Sequence, residues 1–383
     1  MEIEKNVLLL SAIDPTRAYS CIKYLYLKLK KQNIAVEFWC RVPASSMSDY
    51  KKWGDGTYSF CNSIFFKIPK VRTWYMKFVG FIKCFEYRNR TIICHDLFHY
   101  RACSQVKKWF PNTKLIVYFT EIYNEKHSPY LAKLQDYFEK HPNEMDIMIE
   151  CDYKREEYRL TQNGVTKPSA AILNTIPLSE VKDILKVKRV KNERPIVVFS
   201  GGVHEPGEFS IIIDALRDVN MDCELDFYCF GTKEALNALQ NECEEKIKGR
   251  YKLIKNKSRE EVLHSIRNAD VGIVYYDPEY SINTKYAAPT KFFEYISLGI
   301  PVMASGNESL IKIIDEYHLG EYMRTNNVDG MREGLCRLLS NEEYRVQISQ
   351  NEMEAFQNHL CYEIQSKTAI RMITDLIQGG AEA

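Results

Sequence analysis

The residues best suited to chemistry are a cation and a carboxylate one helical turn apart, Lys291 and Glu294, in the run Pro289-Thr290-Lys291-Phe292-Phe293-Glu294-Tyr295-Ile296-Ser297-Leu298-Gly299-Ile300-Pro301-Val302. At i and i+3 the two can form a structural ion pair. Their neighbours are apolar enough to bury the helix, and a buried carboxylate needs partners, so Glu294 is either held by Lys291 or left for a ligand. Spacing leaves both readings open. Gly201-Gly202, followed by His204, allow the backbone to approach a phosphate. His95-Asp96 and Thr120-Glu121 each close an apolar stretch, and Asp14 to Arg17 make a polar loop near the start of the chain.

The elements that position these groups follow from the residue pattern. Thr290 after Pro289 is suited to cap a helix, Phe292 and Ile296 share a face, Gly299 supplies the stop, and Pro301 opens the buried strand Val302-Met303-Ala304. Near the front, residues 6–11 read as a strand, 20–31 as an amphipathic helix and 34–39 as the next strand, a βαβ unit on a parallel sheet. Its loop has no G-x-G-x-x-G, which argues against a nicotinamide-binding domain. At the carboxyl end of a strand, Asp14 to Arg17 is a cleft loop, or a solvated turn whose Asp and Arg pair with each other. Residues 91–94 and 114–119 are further strands whose polar ends emerge on one edge, giving a cleft with His95, Asp96 and Glu121. A lone histidine at a strand end is more often a structural hydrogen-bonder. Residues 195–200 begin a second sheet running into the Gly201-Gly202 loop, and Ser258 with Glu261 makes a capping box ahead of the strand at 269–276.

With 383 residues the chain can bury two cores, and its 45% hydrophobic content is that of a globular protein. No apolar run reaches the roughly 18 residues of a membrane span, and Met1 to Lys5 do not open a signal peptide, so a cytoplasmic protein is expected. The 12 cysteines include no C-x-x-C pair, which points to buried reduced thiols rather than a zinc knuckle or disulfide framework. The charge is uneven: residues 1–190 carry 31 Lys and Arg against 20 Asp and Glu, and residues 191–383 carry 21 against 31. Two domains with different partners are implied, the basic one facing something anionic. Within it, Ile64 to Arg90 interleaves aromatic and basic residues with Glu86 alone opposing them. Such a segment either lies on an anionic bilayer or is an ordinary helix with its rings on the sheet and its lysines in water. No nucleic-acid motif accompanies the base, so nucleic acid is not the expected partner.

The run Pro289 to Val302 resembles the P-x-K-x-x-E-Y-x-x-x-G-x-P-V signature of GT-B glycosyltransferases, family four in particular, and residues 258–274 are similar to that family's second domain. The resemblance implies an α/β fold of two doubly wound Rossmann-like domains facing a cleft. Residues 1–180 would form the acceptor-side domain, 181–194 a charged linker, 195–350 the nucleotide-sugar-binding domain, and 351–383 a C-terminal helix packing back on the first domain. It implies a UDP- or GDP-sugar donor whose ribose hydroxyls Glu294 accepts, with Gly201, Gly202, His204, Thr290 and Lys291 around the pyrophosphate. His95 and Glu121 would face the acceptor and the transferred sugar, with Asp14 as a third catalytic candidate. No metal and no further cofactor are implied, since the second domain has no Asp-x-Asp. The implied reaction is hexose transfer, with retention, to a lipid-linked or polysaccharide acceptor in cell-surface polysaccharide assembly. It would be carried out by a cytoplasmic protein peripheral on the inner face of the cell membrane, with an anionic membrane surface as partner. Many members carry a second glutamate eight positions before the first; here that position is Tyr286, which bears on sugar identity and on retention. A nucleotide-sugar epimerase of the same fold and a non-catalytic binding subunit are the alternatives.

Overall fold

The computed structural model describes residues 6–13, 20–40, 57–59, 69–124, 128–255 and 257–379. The chain divides into two compact units, Met1–Asn174 with Gln365–Ala383, and Thr175–Ile364.

The first unit runs β1 (Val7–Leu10), α1 (Ser20–Lys31), β2 (Val36–Cys40), β3 (Thr57–Ser59), α2 (Pro69–Glu86), β4 (Thr91–His95) and α3 (Tyr100–Trp109). It continues with β5 (Lys114–Phe119), α4 (Pro129–Lys140), β6 (Ile147–Glu150), α5 (Tyr153–Thr161) and β7 (Ser169–Ala171). Its sheet has the order β3-β2-β1-β4-β5-β6-β7, with every pairing parallel. β1 is Val and Leu throughout and fully buried, as a strand covered on both faces must be. Strand order reverses between β1 and β4, so the carboxyl ends of those strands are where a doubly wound sheet opens for a ligand.

The second unit runs α6 (Leu178–Leu185), β8 (Ile196–Val203), α7 (Ser210–Asp218), β9 (Glu224–Gly231), α8 (Lys233–Lys246), β10 (Tyr251–Lys255) and α9 (Arg259–Ile266). There follow β11 (Val271–Val274), α10 (Ile282–Lys285), α11 (Thr290–Ser297), β12 (Val302–Ala304), α12 (Glu308–Tyr317), β13 (Gly320–Tyr322), α13 (Val328–Ser340) and α14 (Glu342–Ala355). Its sheet is parallel too, in the order β10-β9-β8-β11-β12-β13, and reverses between β8 and β11. Phe199, Phe209 and Phe227 interlock at its centre, with ring centroids 4.4 Å apart for Phe199–Phe209 and 5.8 Å for Phe199–Phe227. After a π-helical turn (Phe356–Leu360) and a short α15 (Tyr362–Gln365), α16 (Lys367–Gln378) belongs to the first unit and packs on β5, β6 and β7.

Three local expectations are corrected. The units divide at Asn174–Thr175, ahead of segment 181–194, because α6 occupies the start of that segment and buries Val181 and Ile184. Gly201 and Gly202 are not in a loop: β8 extends to Val203, pairing them with Cys229 and Phe230 of β9. Thr290 does not cap α11; Pro289 is the N-cap, with φ −77° and ψ 157° and no side-chain cap bond, which leaves the first N–H groups of the helix without a side-chain acceptor. The stop at Gly299 (φ +63°) and the capping box of Ser258 and Glu261 are as expected.

Candidate active site

In the second unit, α11 is fixed against the sheet by Tyr295. Its hydroxyl accepts from Ser200 N at 2.9 Å, and its ring lies over Gly272, where a Cβ would stand 2.5 Å from it. Anchored in this way, the helix delivers Lys291 to the carboxyl ends of β8 and β11 and Glu294 to the start of α9. The Lys291 ammonium lies 3.9 Å from the Phe199 ring centroid and 5.3 Å from that of Tyr276. Among the described residues it has no hydrogen-bond acceptor and no ion pair. Burial pushes its pKa down to about 7, against the upward pull of Glu294 and Glu208. Gly201, at φ +151°, has the ammonium 2.6 Å from where a Cβ would be; at Gly202 the corresponding atom is His204 Nε2, at 2.8 Å. Lys291 and His204 therefore both approach backbone that carries no side chain.

Glu294 is buried, but Lys291 is not its partner. Its Oε1 accepts from Arg259 Nε at 2.6 Å, and Arg259 Nη1 donates to Glu180 Oε2 at 2.5 Å. Oε2 of Glu294 accepts from no described residue. The ion pair expected with Lys291 is not formed; Arg259 takes that place, occupying one carboxylate oxygen and leaving the other. Arg259 was missing from the sequence reading; the capping box placed it in the first turn of α9, but nothing in the sequence paired it with a residue 35 positions on. Tyr276, the expected end of a strand, lies beyond β11, which ends at Val274, and turns its ring to Lys291.

The loop between β11 and α11 is held by Asn307, whose Nδ2 donates to Thr284 O at 2.6 Å and Tyr276 O at 3.2 Å. Tyr286 closes α10 beside Lys285, which pairs with Glu308 at 3.0 Å.

In the first unit, His95 ends β4 inside a hydrogen-bonded knot. Its Nδ1 is 2.8 Å from Ser11 Oγ and its Nε2 3.1 Å from Thr120 Oγ1. Thr120 donates its hydroxyl to Asp96 Oδ2 at 2.5 Å and its N–H to Oδ1 at 2.8 Å, with Asp96 in the left-handed region at φ +55°. Because Thr120 gives its proton to Asp96, Nε2 carries the imidazole proton and Nδ1 accepts from Ser11. Burial lowers the pKa of His95 despite Asp96 and Glu121. The ring is buried with both nitrogens engaged, which is the structural hydrogen-bonder of the two roles open to a histidine at this strand end. Glu121, just past β5, is half-buried; Arg155 Nη1 lies 3.9 Å from its carboxylate, and Arg159 Nη2 donates to its carbonyl at 2.9 Å. Asp14 lies outside the described residues.

Residues 181–354 match the family model described as glycosyl transferases group 1. The likeness to that family covers this segment alone. The whole chain has the GT-B fold. A glycosyltransferase from Rickettsia africae is similar over 98% of this chain and 100% of its own, at 12% identity and a TM-score of 0.74. Anabaena HepE in complex with UDP-glucose is similar over 96% and 99%, at 11% identity and a TM-score of 0.74. A putative UDP-N-acetylglucosamine 2-epimerase from Listeria monocytogenes is similar over 98% and 97%, at 11% identity and a TM-score of 0.63. No curated protein matches the chain by sequence.

Proposed function

We propose that the protein transfers a hexose unit, with retention, from a UDP- or GDP-sugar to a lipid-linked or polysaccharide acceptor in cell-surface polysaccharide assembly. One observation carries this reading: an ammonium without an acceptor in the first turn of α11, and one turn later a carboxylate with one oxygen left open. Phosphate and ribose are the groups that such a pair accepts, because a helix N-terminus and a cation favour an anion while a carboxylate accepts hydroxyl protons. The bound UDP-glucose of HepE, a protein of the same fold, supports a nucleotide-sugar donor.

In this reading Lys291 and the uncapped N–H groups of α11 hold the diphosphate, Gly201 and Gly202 let it approach β8, and Glu294 Oε2 accepts a ribose hydroxyl. When the bond from the anomeric carbon to phosphate oxygen breaks, charge accumulates on the diphosphate, and the ammonium stabilises it without a metal ion. The acceptor hydroxyl oxygen bonds to the anomeric carbon on the face from which the diphosphate leaves, as retention requires, and its proton passes to the departing phosphate oxygen. Glu121, half-buried just past β5, is the first unit's candidate for the acceptor, and His95 acts as a positioning residue through Thr120. The resemblance to an epimerase favours a second reading, in which the same donor pocket serves inversion of a sugar centre without an acceptor. Incubating the protein with a panel of UDP- and GDP-sugars, with and without polyprenyl-phosphate-linked sugars and oligosaccharides, tests both readings. Transfer to an acceptor supports the first, an epimerised donor replaces it with the second, and an unchanged donor with intact nucleotide binding leaves a binding subunit.

A further inference from the structure

The aromatic and basic helix of the first unit allowed two arrangements, and α2 has features of both. Met76, Val79, Phe81 and Cys84 pack on the core, with Tyr87 beside the helix end. The opposite side does not: Trp74 is 64% exposed, Phe78 50%, Ile82 39% and Phe85 40%. These four stand at i, i+4, i+8 and i+11, one stripe about 16 Å long at the rise of an α-helix. Trp109 at the end of α3, 55% exposed, extends the patch, with its ring against Phe81 at 6.0 Å. Five of the thirteen large exposed hydrophobic side chains among the described residues are therefore gathered here. The rings are ordered on one another: Trp74 and Phe78 stack at 5.5 Å with planes 2° apart, and Phe85 meets Phe110 edge-on at 5.5 Å.

Charge identifies what covers the stripe. Lys83 is neutralised by Glu37 and Glu86, Lys107 by Asp146 and Lys108 by Glu144. Lys70, Arg72 and Lys77 on α2 and Arg101 on α3 have no ion pair among the described residues. Neither helix has an acidic residue in its first turn. No described helix is long and apolar enough to cross a membrane. A convex stripe of Trp, Phe and Ile, flanked by long cationic side chains that lack acids, suits a soft anionic interface where rings sit at headgroup depth and cations reach phosphates.

We propose that the stripe Trp74–Phe78–Ile82–Phe85 with Trp109 docks the first unit on an anionic lipid surface, with Lys70, Arg72, Lys77 and Arg101 on its phosphates. This goes beyond sugar transfer and holds whether or not the donor reading does, because no donor-site residue lies in the patch.

Sedimentation of the full chain with vesicles of phosphatidylcholine, with and without phosphatidylglycerol, tests the proposal. The protein is expected to bind the anionic vesicles, to bind at least tenfold less at physiological than at low salt, and to show tryptophan quenching by brominated lipid. Trp74→Ala with Phe78→Ala, and separately Lys70→Gln with Arg72→Gln and Lys77→Gln, should each reduce binding about tenfold while UDP affinity is unchanged. Should the aromatic pair fail to fold, quenching of the parent by brominated lipid carries the test alone. Absence of parent binding to anionic vesicles at either salt overturns the proposal. So does full binding by both variants, or a dimer in sedimentation equilibrium that the aromatic substitutions dissociate, since a second copy would then be what covers the stripe.

Discussion

The Lys291 ammonium stands 2.6 Å from the point where a Cβ on Gly201 would be, at a backbone φ of +151°. The two positions are thus coupled: a methyl group at residue 201 must strain β8 and displace the lysine. Gly201→Ala should cost about 1–3 kcal/mol from the backbone conformation, lower the melting temperature, and weaken UDP binding by roughly tenfold or more. Calorimetric titration beside a thermal melt checks this; normal UDP affinity in the variant would remove Lys291 from the phosphate site.

Lys291 should also give the protein a pH signature. Its pKa in the fold is about 7, below its ordinary value, so between neutral pH and the ordinary lysine range the unfolded chain binds more protons than the folded one. Stability gained by removing this burial cost is therefore largest below pH 7 and fades as pH rises from there. Lys291→Met is expected to be more stable than the parent at pH 6, with the gap narrowing towards pH 10. A diphosphate beside the amine restores its proton, so UDP binding at pH 8 should take up protons, measured as a dependence of the heat on buffer ionisation; uridine and the Met variant should not.

Glu294 is expected to carry the nucleoside. Glu294→Gln removes charge assistance from each ribose hydrogen bond and should weaken UDP or GDP binding by about 1.5–3 kcal/mol, roughly 10- to 150-fold, with the fold intact. Arg259→Met leaves Glu294 and Glu180 without their shared cation and should destabilise the second unit by about 1–2 kcal/mol, discounted for the partial exposure of Arg259. Adding Glu294→Gln to that variant should recover part of the loss, which a double-mutant cycle of thermal melts resolves.

Because a lysine and helix N–H groups are assigned to the diphosphate, transfer should persist in excess chelator, and Lys291→Ala should remove most of it. Inactivation by chelator with recovery on adding Mg²⁺ or Mn²⁺ would contradict the assignment.

Much of the fold was legible because buried parallel strands announce themselves. Val7 to Leu10 and residues 114–119 are apolar runs of strand length, and Gly299 and the Ser258–Glu261 box mark helix ends by local chemistry alone. The site was legible where one helix carries its ligands, as with Lys291 and Glu294. It was not legible where partners come from distant segments: Arg259 reaches Glu294 across 35 positions, and Ser11 reaches His95 across 84. His95 was a catalytic candidate because its strand end shares an edge with Glu121; the hydroxyls of Ser11 and Thr120, which a sequence does not place beside it, close both nitrogens. Gly201-Gly202 looked like a loop because glycine weakens a strand, yet pairing with Cys229 and Phe230 on β9 keeps them in one.

The return of α16 to the first unit orders biosynthesis. That unit's seven strands emerge from the ribosome first, but the helix that covers β5, β6 and β7 emerges only after the whole of the second unit, which is contiguous from Thr175 to Ile364. Ala369, Ile370 and Ile373, buried in the finished protein, reach the sheet only then, so a nascent first unit waits with an apolar face uncovered while its successor folds. A stop codon anywhere after Ile364 and before this helix would release a protein whose second unit is whole and whose oldest part is left with that apolar face open.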